Sequence, residues 1–485
     1  MNKIIYNDFA ANAEKNATIP ASGSSSYQSC NRLLSEDDRD ILNFASFEGV
    51  GIDLLDDSLY FAENGDNIGY VSSAISSQSN IFLNNYLVIA LSDGSYSAPG
   101  ITFYFFKDYC SHMTVTWLNG DDVLSEKNIY VVPEKADSNG LIKFYFENNV
   151  DGFNKIKIKF SMSNLKGQFA KLAGIDLGRQ REITNFHSNI QIFSEIDPDC
   201  ADAPGSTCDF IAEIEDFEPS QAQSFFVYGG DRLFGRYYVD EVIPMGKNRY
   251  SFECSDAIMK LEKSNCEALP QGTYSVDSIA KAIYISSNIN IDRKGFENIA
   301  VTGFLEENTN RYAAAMLSFA TGCFLTGFGA KSLTLKKPIN RRNKIISSSK
   351  ILGRAEYKEK TQYSAVVLKT FSGDFETVIS TKTEKNLNKK ATDSIGNNVF
   401  EQYSLIAGVN ERFNELIESG YINNEITARI EMQDESLGDI LSIETPYNGI
   451  KTGIIKSMEI ILGFNKITAI INMIERDYAS RGGEA

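Results

Sequence analysis

The chain has 485 residues, enough for about three domains at roughly 150 residues each. Its 47 Lys and Arg stand against 64 Asp and Glu, a net charge of −17, which opposes general binding to phosphate backbones. With 2 His in all, His112 and His187, there is little material for a histidine metal site or a histidine proton relay.

The seven cysteines (30, 110, 200, 208, 254, 266 and 323) form no Cys-x-x-Cys pair and no regular framework, so free thiols in a reducing compartment are expected. Residues 1–30 build no uninterrupted apolar stretch of the kind that begins a secretory signal. No run of eighteen apolar residues is present, so no spanning helix is expected. These features predict a soluble chain made in a cytoplasm.

Residues 1–40, with a Ser-rich piece at 22–26 and an acidic run at 36–40, read as an arm or linker. From 41 to 165, short aromatic and β-branched runs alternate with Gly, Asn, Asp and Ser, among them NYLVIAL, ITFYFF, MTVTWLNGDD, NIYVVP, LIKFYF and KIKIKF. Ile156, Ile158 and Phe160 alternate with Lys155, Lys157 and Lys159, which predicts one buried and one wet face. The pattern as a whole predicts a β-sandwich.

Strand texture continues through IQIFSEI, DFIAEIEDF, SFFVYGG, RYYVDEVIP and NRYSFEC over 166–265. The period then changes. Ser275 is placed to cap a helix with Val276, Ile279, Ala280 and Ile283 on one face, and Asn310 to cap a second that ends at Gly322. The small side chains of Ala313, Ala314 and Ala315 allow close approach to a sheet or to a second copy. Residues 266–340 thus read as an inserted α/β piece, closing on the strand SLTLKKP.

Residues 331–360 hold ten basic side chains against Glu356 and Glu359. Two readings stand: a solvated strand edge guarded by Lys, or an electropositive ring facing an acidic partner or passing nucleic acid. After a Lys- and Asn-rich loop, a short helix is expected with Val409, Phe413, Leu416 and Ile417 on one face and a stop at Gly420. Strands resume with ITARIEM, DILSIETP, IKTGIIKSMEIIL and KITAIINMIE, giving a last domain over 341–485.

Ala212–Glu213–Ile214–Glu215 and Ala428–Arg429–Ile430–Glu431 are alike, and each is followed by a further strand and then a glycine, Gly235 or Gly453. A repeat would give two related β-barrels; generic hairpin chemistry would give the same short match.

The segment Leu437–Glu475 resembles the closing barrel of the hub proteins found in tails or baseplates of bacteriophages and tail-like contractile particles. Leu233–Ser264 looks like the end of the first hub barrel, and Asn308–Leu335 is similar to the α/β piece inserted in such hubs. The front half, from YSAPGITFYFF to LGRQREIT, resembles the β-sandwich that precedes the barrels in tail proteins of some Gram-positive phages. The resemblance implies a mainly β, multidomain chain: an N-terminal β-sandwich, then two hub-type β-barrels with an inserted α/β subdomain.

It further implies a homotrimer at the distal end of a tail, assembled in a bacterial cytoplasm, that adapts the tail tube or distal tail protein to a spike, needle or tape-measure protein. Two barrels per chain in a threefold ring would present six similar surfaces to a sixfold tube. On that reading the interfaces are assigned to Gly235, Tyr237, Val239, Ala313, Ala314, Ala315, Met316, Gly453, Ile455 and Met458. The basic residues Lys336, Lys337, Arg341 and Arg342 are assigned to a lumen or a neighbour.

Enzyme chemistry finds no purchase. Gly322 and Gly327 have nucleotide-loop spacing, but Phe328 stands where Lys is required. Cys110 and His112 share one strand with no third orienting group, and Asp197, Asp199 and Asp202 lack the Gly and terminal Glu of a calcium loop. No catalytic residue, cofactor, metal site or sequence-specific nucleic-acid contact is therefore assigned. Two alternatives stand beside the hub reading: a glycan-binding adhesin, in which Trp117 of the sandwich stacks on a host wall sugar, and a wall-degrading enzyme.

Overall fold

A computed structural model describes residues 2–12 except 9; 28–30; 45–46; 69–217 except 76–78, 91–94, 106–108, 133–141, 168, 173, 199 and 201; 224–359 except 288, 294, 297–298, 306 and 331; 365–372; 375–378; 392–396; and 424–475 except 465. The Ser-rich and acidic pieces of the first forty residues, and the helix expected around 409–420, lie outside the described residues. The protein is mainly β with several sheets. It divides into two compact units, one of Ile4–Ile183 and Glu215–Phe225, the other of Met1–Lys3, Thr184–Ile214 and Phe226–Ala485.

In the first unit, one sheet has the order β1 (Ile81–Ala90), β6 (Lys155–Ser163), β3 (Cys110–Asn119), β4 (Asp122–Tyr130). A second has the order β5 (Ile142–Phe153), β2 (Ser95–Phe105), β7 (Gly174–Leu177). Antiparallel register places Ile158 opposite Val115 and Ile156 opposite Trp117, so inward positions align across strands. These residues join Phe103, Phe105, Phe153 and Leu177 from the second sheet in one buried core, the arrangement of a β-sandwich. Lys157 and Lys159 face out as the alternation requires, but Lys155 is buried, with Nζ 3.2 Å from Asp121. Residues Asn2–Asn7, expected in an arm, form a strand: Ile4 to Asn7 pair with Ile183 to Gln180, and Ile4 and Tyr6 are buried.

The second unit is ordered by a repeated strand path. In chain order β9 (Thr207–Glu213), β10 (Ser224–Gly229), β11 (Arg232–Gly246) and β12 (Arg249–Ser255) lie side by side as β10-β11-β12-β9. Likewise β16 (Glu425–Glu431), β17 (Asp439–Thr445), β18 (Gly449–Leu462) and β19 (Ile467–Glu475) lie as β17-β18-β19-β16. Both are second-third-fourth-first, a Greek-key order. The short match found in the sequence is therefore a repeat of topology. Its glycines are not equivalent, however. Ala212, Tyr250 and Pro244 form one cross-strand row and Ala428, Ile471 and Met458 its counterpart; four residues along, Val239 opposite Cys254 corresponds to Gly453 opposite Glu475.

Strand β8 (Ile190–Glu195) pairs with β9 on one edge and with β18 on the other, joining the two repeats in one sheet. Where two separate barrels were expected, the strands of both thus share hydrogen bonds, and no chain of described strand pairings closes into a ring.

Between the repeats lies the α/β piece: α1 (Ala257–Leu261), α2 (Val276–Ser287), α3 (Asn310–Thr321), β13 (Phe324–Thr326) and β14 (Leu333–Lys336). Ser275 Oγ accepts from Ser278 N at 3.1 Å, and Val276, Ile279, Ala280 and Ile283 are buried, as predicted. The cap of α3 is Thr309 instead of Asn310: its hydroxyl accepts from Tyr312 N, while Asn310 is buried and donates through Nδ2 to Ser264 Oγ. Gly322 ends that helix at φ 66°, in the left-handed conformation glycine tolerates. Strand β15 (Ile339–Ile346) then runs parallel to β17.

Asp256 caps α1 by accepting from Ile258 N and Met259 N, and its other carboxylate oxygen is buried with no hydrogen-bond partner in the protein. Burial pushes its carboxyl up to about 6, against the hydrogen bonds from Ser206, Met259 and Ile258. Because the folded value lies above the ordinary carboxylate value, the stability it confers is complete below about pH 4 and is lost as pH rises through about 6. Asp256→Asn keeps a capping oxygen and removes the charge. Urea unfolding from pH 4 to 7 should show the wild type losing about 2 kcal/mol relative to the variant. In the sandwich, Trp117→Ala should cost about 3–5 kcal/mol in the same assay, because Trp117 is 1% exposed.

Candidate functional site

All but one of the residues assigned to interfaces from the sequence belong to the protein's own core. Tyr237, Ala313, Ala314, Ala315, Met316, Ile455 and Met458 are buried, as are Gly235 and Gly453, and Val239 is half-buried. The small side chains of α3 serve packing inside the α/β piece, against α2 and its sheet. Gly453 is needed because a Cβ there would lie 2.6 Å from the carbonyl oxygen of Ile474 on β19. For the buried positions the assignment is corrected, because an apolar stripe read from sequence is satisfied first by its own chain; burial does not remove Val239. Trp117 fills the sandwich core, so it cannot stack on a sugar. Cys110 is no nucleophile either: its thiol donates to the carbonyls of His112 and Met162, and burial pushes it up to about 11.

The basic stretch leads to the most structured polar site. Arg341 and Lys344 lie on β15, and the loop 433–439 precedes β17, so the parallel pairing of these strands brings opposite charges together. The Lys344 ammonium contacts the Asp434 carboxylate and lies 2.8 Å from Glu435 Oε1. Arg341 donates to Asp434 O and Oδ2 at 3.1 and 3.2 Å and lies 3.4 Å from Asp439 Oδ2. From the first repeat, Arg232 at the start of β11 donates to the carbonyls of Gln433 (2.7 Å) and Glu435 (2.6 Å), with its guanidinium over the rings of Phe234 and Phe328.

The loop is held from within as well. Glu435 Oε2 accepts from Gln433 N at 2.7 Å, Asp439 Oδ2 accepts from Ser436 N at 2.9 Å, and Gly438 N donates to Ile455 O at 3.0 Å. Gly438 has φ 79°, and a Cβ added there would lie 2.2 Å from the Phe324 ring. Only glycine suits both the backbone and that contact. Four pieces of chain thus meet here: β11, β13, β15 and the loop before β17.

Electrostatics follow the contacts. The hydrogen bond from Lys344 holds the Asp434 carboxyl below its usual value, outweighing some burial. Burial works against the Lys344 charge, but the bonds to Asp434 and Glu435 outweigh it and raise its value. Burial raises Asp439, opposed by Ser436 N–H and the charges of Arg341 and Lys344. The arrangement offers charge-paired clamping.

For the residues assigned to a lumen, this is a partial correction. Arg341 is neutralised within the chain, Lys336 is half-buried, Lys337 is exposed, and the Arg342 side chain lies outside the described residues. Asp434 and Glu435 of the acidic partner loop, QDESLGD, carry no assignment in the sequence reading. Its signal was available: a run of carboxylates close to one strand and a run of cations on another.

No family model matches the sequence, and no curated protein matches it. Solved structures similar to this one include phage tail proteins and a secretion-system component. The 43 kDa tail protein of prophage MuSo2 from Shewanella oneidensis is 14% identical, with TM-score 0.44 over 61% of this chain and 95% of that one. A tail protein from Neisseria meningitidis MC58 is 11% identical, with TM-score 0.45 over 61% and 94%. The E. coli c3393 protein, described as a type VI secretion component with structural similarity to the T4 tail proteins gp27 and gp5, is 8% identical, with TM-score 0.37 over 59% and 73%.

Lys344→Met should leave Glu435, which is almost fully buried, without its ammonium partner. The urea midpoint is expected to fall by the equivalent of about 1–3 kcal/mol, and added salt should weaken the variant less than the wild type.

Proposed function

We propose that this protein is a non-enzymatic structural hub of a phage tail or contractile tail-like particle. It forms a homotrimer at the distal end of the tail and joins the tube or distal tail protein to a spike, needle or tape-measure protein. The observation that carries this reading is the repeated strand order, β10-β11-β12-β9 and β17-β18-β19-β16, within one chain. Three chains with two like units each offer six like surfaces, the number a sixfold tube requires.

The charged junction supports the same reading, because a hub must transmit load between its repeats without coming apart. Lys337, exposed just before β15, is the residue we assign to contact with an acidic neighbour. Trp117 is buried, so the adhesin reading loses its sugar-stacking residue.

Native mass spectrometry of the full-length chain over a range of concentrations should show a discrete trimer, and electron microscopy of that species a ring with a central opening. A monomer at every concentration that also fails to associate with purified tail tubes would overturn the proposal.

A further inference from the structure

Two of the cysteines face each other. On the antiparallel pair β9–β12, Cys208 lies directly opposite Cys254, and both side chains point to the buried face. Directly opposed residues in an antiparallel pair have Cα atoms roughly 4.5–5.5 Å apart, inside the span of about 4.4–6.8 Å that a disulfide bridges. Two residues along the same face, Phe210 and Phe252 are also directly opposed, and their rings stack at 4.7 Å. Side chains at paired positions of this ladder therefore do meet.

The topological repeat gives a second, independent line. The positions equivalent to Cys208 and Cys254 in the other repeat are Asn424 and Glu475, four residues beyond the corresponding pair Ala428–Ile471. There the two strands are tied by side chains: Asn424 Nδ2 donates to Glu475 Oε2 at 2.8 Å, Tyr357 OH donates to the same oxygen at 2.7 Å, and Lys451 Nζ lies 3.0 Å from Glu475 Oε1. The first repeat has two thiols at this point of the sheet.

We propose that Cys208 and Cys254 are a disulfide site, a covalent strap across β9 and β12 that closes when the protein meets an oxidising medium. A disulfide oxidant such as oxidised glutathione supplies the chemistry. One cysteine thiolate attacks a sulfur of the oxidant and expels a glutathione thiolate. The second cysteine thiolate then attacks the mixed disulfide at the protein sulfur and expels the other. Two protons leave the thiols, and two electrons reduce the oxidant to two glutathiones.

Both thiols are buried, and burial, followed by their mutual charge interaction at Cys254, raises them well above the ordinary thiol value. Closure therefore follows local opening or occurs during folding, and once made the bond is shielded from reductants. The proposal does not depend on the hub reading.

The test is oxidation of the full-length reduced chain with oxidised glutathione, natively and during refolding from urea, followed by alkylation and non-reducing peptide mapping. The expected result is the loss of two alkylatable thiols, a linked peptide pair containing Cys208 and Cys254, slow closure natively and rapid closure on refolding. The melting temperature should rise on oxidation by about 5 °C, and the C208S/C254S double variant should show no such rise. Cys208 and Cys254 still alkylatable after oxidative refolding, or a bond mapped to any other pair of cysteines, would overturn it. Should the double variant fail to fold, the wild-type peptide map decides alone.

Discussion

The larger unit depends on one short strand being satisfied on both edges. Ile190–Glu195 donates to and accepts from β9 on one side and β18 on the other, and in doing so turns two four-strand repeats into one sheet. Without it each repeat would present an open row of backbone donors and acceptors, which is both costly and adhesive. Strand β18 can serve this role because it is long. Its first half pairs with β17 and its second half with β8, while β19 runs along the opposite edge with a register shift after Ile455. Length and a bulge let one strand change partners.

The charged junction secures what that sheet begins. The loop before β17 has many backbone groups and few apolar side chains, so it cannot be held by burial alone. It is instead gripped by Arg232 from the first repeat, by Arg341 and Lys344 from the neighbouring parallel strand, and by the Phe324 ring against Gly438. An ion pair at a surface contributes little, but here Asp439 and Glu435 are buried, so their partners are obligatory. The junction thereby fixes the α/β piece to both repeats, and the same backbone order is free to carry different side-chain chemistry in each.

Strand positions were legible in the sequence because alternation is a local signal: KIKIKF, NRYSFEC and ITARIEM all form strands where their patterns place them. Helix boundaries were legible at Ser275 and Gly322 for the same reason, and were missed by one residue at Thr309, where two adjacent polar residues compete for the cap. The repeat was visible only as a four-residue match, and its glycines misled. Gly235 and Gly453 occupy different rows of the sheet, each required for its own reason, a φ of 149° in one case and the close Ile474 carbonyl in the other.

Sequence alone determined that the chain is mainly β, with a sandwich-like front, an α/β piece and a strand-rich end, since composition and period depend on residues adjacent along the chain. Tertiary structure alone decided which residues are used up inside the protein. Ala313 to Met316, Tyr237, Ile455 and Trp117 look available in one dimension and are buried in three. Arg341 looks like free charge and is paired with carboxylates about ninety residues away. Contacts at that separation are set by strand register and long-range pairing, which no local pattern encodes. The facing thiols of Cys208 and Cys254 became a pair for the same reason.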